Sequence, residues 1–193
     1  MNPRRIISLF ILLELIIVAA SILMDGFTIS ALQTTTRFSG RLSLFLFSAI
    51  FLLHNKPATL HAWLSEKFYL LFAIVHGIHL FELLAYVYLA EVKIIPIRLA
   101  GGFVAYVFIF LMPWLSNYAR SGKISIKRFF TFEAIFLYFT WLIFFLTYLP
   151  RVQGKLPTAG GSYAEHVALL GWVSTMLGIK LTSMLQFQKA RSK

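Results

Sequence analysis

The 193-residue chain is 59% hydrophobic and only 13% charged, with a mean hydropathy of +0.80. Soluble domains run near half apolar with about a quarter charged, so this composition excludes a water-covered globule and indicates one integral membrane domain. The sequence has no cysteine, which excludes disulfides, thiolate metal sites, iron–sulfur clusters and cysteine nucleophiles together. Its net charge of +11 is dispersed through short segments between apolar runs, the pattern of membrane topology rather than of nucleic-acid binding.

Successive apolar runs predict an all-α bundle of about six transmembrane helices, each close to the roughly 20 residues that a bilayer core requires. The first runs from Ile6 to Met24, behind Arg4 and Arg5. Val18 and Ala20 before Ser21 would suit leader-peptide cleavage, but the run continues past them and contains Glu14. It therefore reads as a retained helix. The second covers 37–54, opening at Arg37 and ending at His54. The third, 68–90, carries His76, His79 and Glu82. The fourth, 99–115, follows Pro96, and the fifth, 129–149, is ended by Pro150 and Arg151. A turn-rich stretch from Pro157 to Ser162 precedes the last, 164–185. The runs are continuous rather than alternating, which favours helices over a closed β-barrel.

Lys and Arg set the expected orientation. The side with the termini holds Arg4, Arg5, Lys56, Lys67, Arg120, Lys123, Lys127, Arg128, Lys189, Arg191 and Lys193, which makes eleven. The other side holds Arg37, Arg41, Lys93, Arg98, Arg151 and Lys155, which makes six. Both termini are thus expected in the cytoplasm, and the protein in the inner (plasma) membrane.

Six ionisable residues fall at membrane depth: Glu14, His76, His79, Glu82, Glu133 and Lys180. Such groups are expensive in hydrocarbon, and each is a functional candidate. At about 1.5 Å per residue, Glu14 and His76 lie about 12 Å from the cytoplasmic helix ends, Lys180 about 8 Å and Glu133 about 6 Å, with Glu82 beyond the midplane. Lys180 is available to neutralise Glu14 or Glu133. Alternatively, these groups only tie helices together, and Glu133 and Lys180 snorkel to the interface. The i, i+3, i+6 spacing of His76, His79 and Glu82 confines them to one arc of about 120°, a stripe expected to face the bundle interior. Imidazoles of this kind can hold haem iron or a transition metal. His54 and His61 read as solvated interface residues, and Trp63, Trp114, Tyr148 and Tyr163 as members of aromatic belts.

Several segments resemble the ferric-reductase-like transmembrane domain, in particular its small bacterial stand-alone members. They are Thr36-Arg37-Phe38-Ser39-Gly40-Arg41, Phe72 to Leu80 with His76 and His79, Gly101 to Tyr106, Trp141 to Phe145, and Tyr148-Leu149-Pro150-Arg151. The resemblance covers about two thirds of the chain. It implies haem b held between a third-helix histidine, matched by His76 with His79 following, and a histidine near the start of the fifth helix. That second position is Glu133 here, and the fifth helix contains no histidine.

Two functions follow. A ferric-reductase-like protein would carry electrons through a haem bound by His76, or by His79 in its place, as a membrane oxidoreductase component. Lacking a flavin or NAD domain, it would take electrons from a quinol or a redox partner protein. Alternatively, the chain is a haem-less accessory protein, or a small-solute or proton permease, in which Glu14, His76, Glu82 and Glu133 form a hydrophilic path.

Overall fold

The computed structural model describes residues 3–53, 58–93, 96–156 and 159–191, with the side chains of 3–4, 58–67, 98–99 and 184–191 excepted. The described residues form helices α1 (Pro3–Asp25), α2 (Ile29–Leu53), α3 (Ala58–Leu89), α4 (Pro96–Arg120), α5 (Ile126–Val152) and α6 (Tyr163–Arg191), with no strand among them. Segments of α1 to α5 are long and apolar enough to cross a membrane. The sixth helix is more polar, with His166, Ser174, Thr175, Lys180, Thr182 and Ser183 along it, and it packs beside α5 and α2. The protein is a helical membrane bundle. His54 lies outside the described residues, as do the side chains of His61 and Trp63, although His61 and Trp63 fall within α3 rather than in a loop.

The helices extend beyond the apolar runs, and the reasons are local. At α2 the Thr28 hydroxyl accepts from Ala31 N at 3.2 Å and donates to the Asp25 carbonyl at 2.9 Å. This cap starts the helix at Ile29 rather than near Arg37, so Arg37 and Arg41 lie inside it. At α6 Ser162 and Glu165 form a reciprocal capping box, with Glu165 N on Ser162 Oγ at 3.2 Å and Ser162 N on Glu165 Oε2 at 2.8 Å. Pro113 and Pro150 lie inside α4 and α5 instead of ending them. Membrane helices tolerate proline when neighbouring groups satisfy the freed carbonyl.

Consecutive helices α1, α2 and α3 run antiparallel, as the pairs Thr34–Asp25 and Ser39–Glu14 and the pairs Gln33–Tyr86 and Gly40–His79 require. Helix α6 runs parallel to α2, through Arg41–Glu165, Ser48–Trp172 and Phe51–Lys180. Helix α5 runs parallel to α3, through Tyr69–Glu133 and His76–Phe144. The start of α1 and the end of α6 therefore share one face, termed proximal, and the opposite face is distal.

Aromatic rings fill the centre. Phe47 sits 5.7 Å from Phe72, 5.3 Å from Phe144 and 6.5 Å from Phe136 between ring centroids. Phe47, Phe72 and Phe136 are wholly buried, whereas the rings of Phe81 and Phe103 face outward and are about three-quarters and two-thirds exposed. Lipid offers no hydrophobic drive to bury a ring, so the inner rings hold the helices by close packing. Phe72→Ala should destabilise the bundle by about 3–5 kcal/mol through the cavity it leaves, read as a lower thermal unfolding midpoint in detergent, while Phe81→Ala should leave the midpoint nearly unchanged.

Candidate functional site

Three helices bring polar groups together in mid-bundle. Glu14 stands near the middle of α1, Ser39 on α2 and Glu82 on α3. The Ser39 hydroxyl donates to Glu14 Oε1 at 3.0 Å. Ser39 also lies near Glu82, and the two carboxyl groups interact electrostatically. Glu14 and Ser39 are buried. The Oε2 atom of each carboxyl is buried with no hydrogen-bond partner among the described residues.

The hydrogen count at this site is informative. A serine hydroxyl has one hydrogen to donate and two lone pairs to accept with. With that hydrogen on Glu14, the serine oxygen keeps its lone pairs free to accept from a neighbouring group. Two carboxylates that repel one another in a low-dielectric interior are eased by a proton held between them. Ser39 stands where a relay between Glu82 and Glu14 would pass, by accepting a proton from one carboxyl while giving its own to the other.

His79 lies one turn from Glu82 along α3. Its ring lies by the Thr36 backbone and rests on Gly40, where a Cβ would come within 3.0 Å of His79 Cε1. A side chain on α2 at this point would push the imidazole away, so the glycine serves close approach. His79 Nδ1 is buried without a partner among the described residues, as is His76 Nδ1. The His76 ring is packed by Tyr106 at 4.9 Å, Phe72 at 5.2 Å, His79 at 5.3 Å and Phe144 at 6.0 Å between centroids.

A second polar group occupies the proximal half. The Tyr69 hydroxyl donates to Glu133, which is fully buried. Lys180 Nζ donates to the Phe51 carbonyl at 2.9 Å, lies 5.4 Å over the Phe51 ring and interacts electrostatically with Glu133. Of the two carboxylates open to Lys180 in the sequence, the structure selects Glu133. Lys180 and Glu133 are both internal rather than snorkelled, at 3% and 0% exposure.

The six sequence candidates thus divide. Glu14, Glu82 and His79 gather around Ser39 and Gly40, while Glu133 and Lys180 meet at Tyr69 and Phe51. His76 stands between the two groups in an aromatic box, and Phe47, Phe72 and Phe136 close the interval below it. Glu14, His76, Glu82 and Glu133 therefore do not form one continuous hydrophilic path.

The same register tests the fit of a haem. Axial ligands must face one iron from opposite sides. Glu133 is level with Tyr69, two helical turns or about 10 Å from His76 along α3, and it is engaged by the Tyr69 hydroxyl. Opposite His76, α5 presents the Phe144 ring. This donor set does not fit a haem held between His76 and Glu133. Among the described residues there is also no group of three or more His, Cys, Asp or Glu side chains placed to hold a metal ion.

Ser39, Gly40 and Tyr69 were not among the residues that composition and depth single out. Depth selects ionisable groups, whereas these three act by supplying a hydroxyl or by leaving room. Comparison with protein-family models, with characterised proteins and with solved structures finds no match.

Proposed function

We propose that this membrane protein handles protons, in the manner of a permease or of an accessory subunit, through the line formed by Glu82, Ser39 and Glu14. The meeting of two mutually repelling carboxyl groups at one hydroxyl carries this reading, because a proton held between them relieves the repulsion. Glu14 and Glu82 come from different helices, so a relative movement of α1 against α3 would change which of them keeps the proton. The layer of Phe47, Phe72 and Phe136 supports carriage by such rearrangement rather than flow through an open pore.

The proposed membrane is the inner (plasma) membrane, with both termini cytoplasmic. The orientation rests on eleven basic residues of the proximal side against six of the distal side, Arg37 and Arg41 among the six.

A second reading is ferric-reductase-like electron transfer, with a quinol or a redox partner protein as donor. What favours it is the pair of buried imidazoles on α3, His76 and His79, whose Nδ1 atoms have no partner among the described residues. It would require ligation other than the His76–Glu133 pair.

Each reading has its own measurement. In vesicles loaded with a pH-sensitive dye, the protein should speed proton entry driven by a potassium diffusion potential. Glu14→Gln and Glu82→Gln should each return entry to the protein-free rate, while Glu91→Gln at the exposed end of α3 should not. Equal entry with and without protein would refute proton handling.

For the second reading, detergent-purified protein from haem-supplemented cells should show a Soret band that shifts with dithionite and is lost in His76→Ala. A band unchanged in that variant would move the ligand to His79. No band, and no uptake on haem titration, would end the electron-transfer reading.

A further inference from the structure

On the distal side three arginines converge, although the sequence places two of them on one helix and the third at the end of another. Arg37 and Arg41 are one turn apart on α2, and Arg151 lies in the last turn of α5. Arg151 interacts electrostatically with both of the others. The one carboxylate among them is Glu165, whose Oε2 accepts from Arg41 at 3.0 Å and which also interacts electrostatically with Arg37. Three guanidinium groups against one carboxylate leave a formal excess of two positive charges. Guanidinium does not lose its proton in proteins, so the excess persists at any ordinary pH.

The site is also built to hold something. Arg37 Nε and Arg151 Nε are buried with no hydrogen-bond partner among the described residues. His166 is about nine-tenths buried beside this group and next to the Gly160 backbone.

The turn between α5 and α6 closes over this group through Gly160 and Gly161, both at positive φ (66° and 84°). A Cβ on Gly160 would lie 3.0 Å from an Arg37 terminal nitrogen, and one on Gly161 would lie 2.7 Å from Glu165 Oε2 and 3.2 Å from His166 Cε1. Two glycines are needed here because the backbone both turns left-handed and rests directly on the charged side chains.

We infer that Arg37, Arg41 and Arg151 form a binding site for a phosphate group beneath the Gly160–Gly161 turn. Buried cationic donors without acceptors are unfavourable, and a planar guanidinium fork matches the oxygens of phosphate. A phosphate monoester or inorganic phosphate carries close to two negative charges at neutral pH, which matches the excess of two. Glu165 then has a defined role. It holds Arg41 in position from the capping box of α6, without neutralising the group. The phosphate can belong to a soluble ion or to a lipid headgroup, since the site lies on the distal part of a membrane bundle.

The test uses the full chain in detergent, with inorganic phosphate as the first probe and chloride at matched ionic strength as the control. Phosphate should raise the thermal midpoint in a saturable manner. Arg37→Gln and Arg151→Gln should each weaken that affinity roughly ten- to hundredfold, the range expected for a lost charge-assisted hydrogen bond. Arg151→Lys keeps the charge but loses the fork, and it should also weaken binding. Arg120→Gln at the exposed proximal end of α4 should bind as the parent does.

A second arm replaces inorganic phosphate with vesicles containing phosphatidic acid. Saturable stabilisation there alone, lost in the same variants, would assign the site to a lipid phosphate. No saturable effect of either probe, or the same affinity in Arg37→Gln and Arg151→Gln, would overturn the inference. The parent protein alone can give the first of these results, so a variant that fails to fold does not shield the proposal.

Discussion

One hydroxyl hydrogen constrains the middle of this bundle. Ser39 donates to Glu14 at 3.0 Å and lies near Glu82, so two mutually repelling carboxyl groups meet at a hydroxyl with one hydrogen. The proton we propose that they share relieves that repulsion inside the bundle. This meeting also fixes the packing of α1, α2 and α3. The hydroxyl must lie between the carboxyls, so α2 stands between α1 and α3 at this depth, with Gly40 admitting the His79 ring beside it.

The remaining polar groups are separated from that line along the bundle axis. Toward the proximal face, Glu133 is engaged by Tyr69 and Lys180, and Phe47, Phe72 and Phe136 isolate this group from the mid-bundle carboxyls. Toward the distal face, Arg37, Arg41 and Arg151 gather around Glu165 under the Gly160–Gly161 turn. Each group resolves its charge differently: by a shared proton, by an internal cation and by an excess that calls for an anion. Charges of both signs thus stay compatible with an apolar exterior because each is handled locally.

Much of the architecture could be read from composition and run length, since continuous apolar segments admit few other solutions in a membrane. Helix ends were less legible. The α2 start was placed near Arg37 because the polar stretch Thr34-Thr35-Thr36-Arg37 lowers the local hydropathy, while the Thr28 cap that carries the helix back to Ile29 is a hydrogen-bonding signal. The arginine site stayed hidden because Arg37 and Arg41, at the opening of the second helix, were counted only with the basic residues that set orientation. The Ser162-x-x-Glu165 box was a recognisable signal for the start of α6. Of the groups that depth singles out, Glu14, Glu133 and Lys180 are buried and Glu82 is half-buried, but depth along one helix cannot say which neighbour a side chain meets. Pairing depends on helix register, and register is set by packing such as Phe47 on Phe72 and His79 on Gly40.

The proton shared by Glu14 and Glu82 is the central claim, and infrared spectroscopy of the purified protein at neutral pH addresses it directly. The difference spectrum between the parent protein and Glu82→Gln should contain a carboxylic-acid carbonyl band that shifts in heavy water, because the parent holds a protonated carboxyl that the variant lacks. A difference spectrum with carboxylate bands alone would mean that both groups are ionised, and would contradict the account.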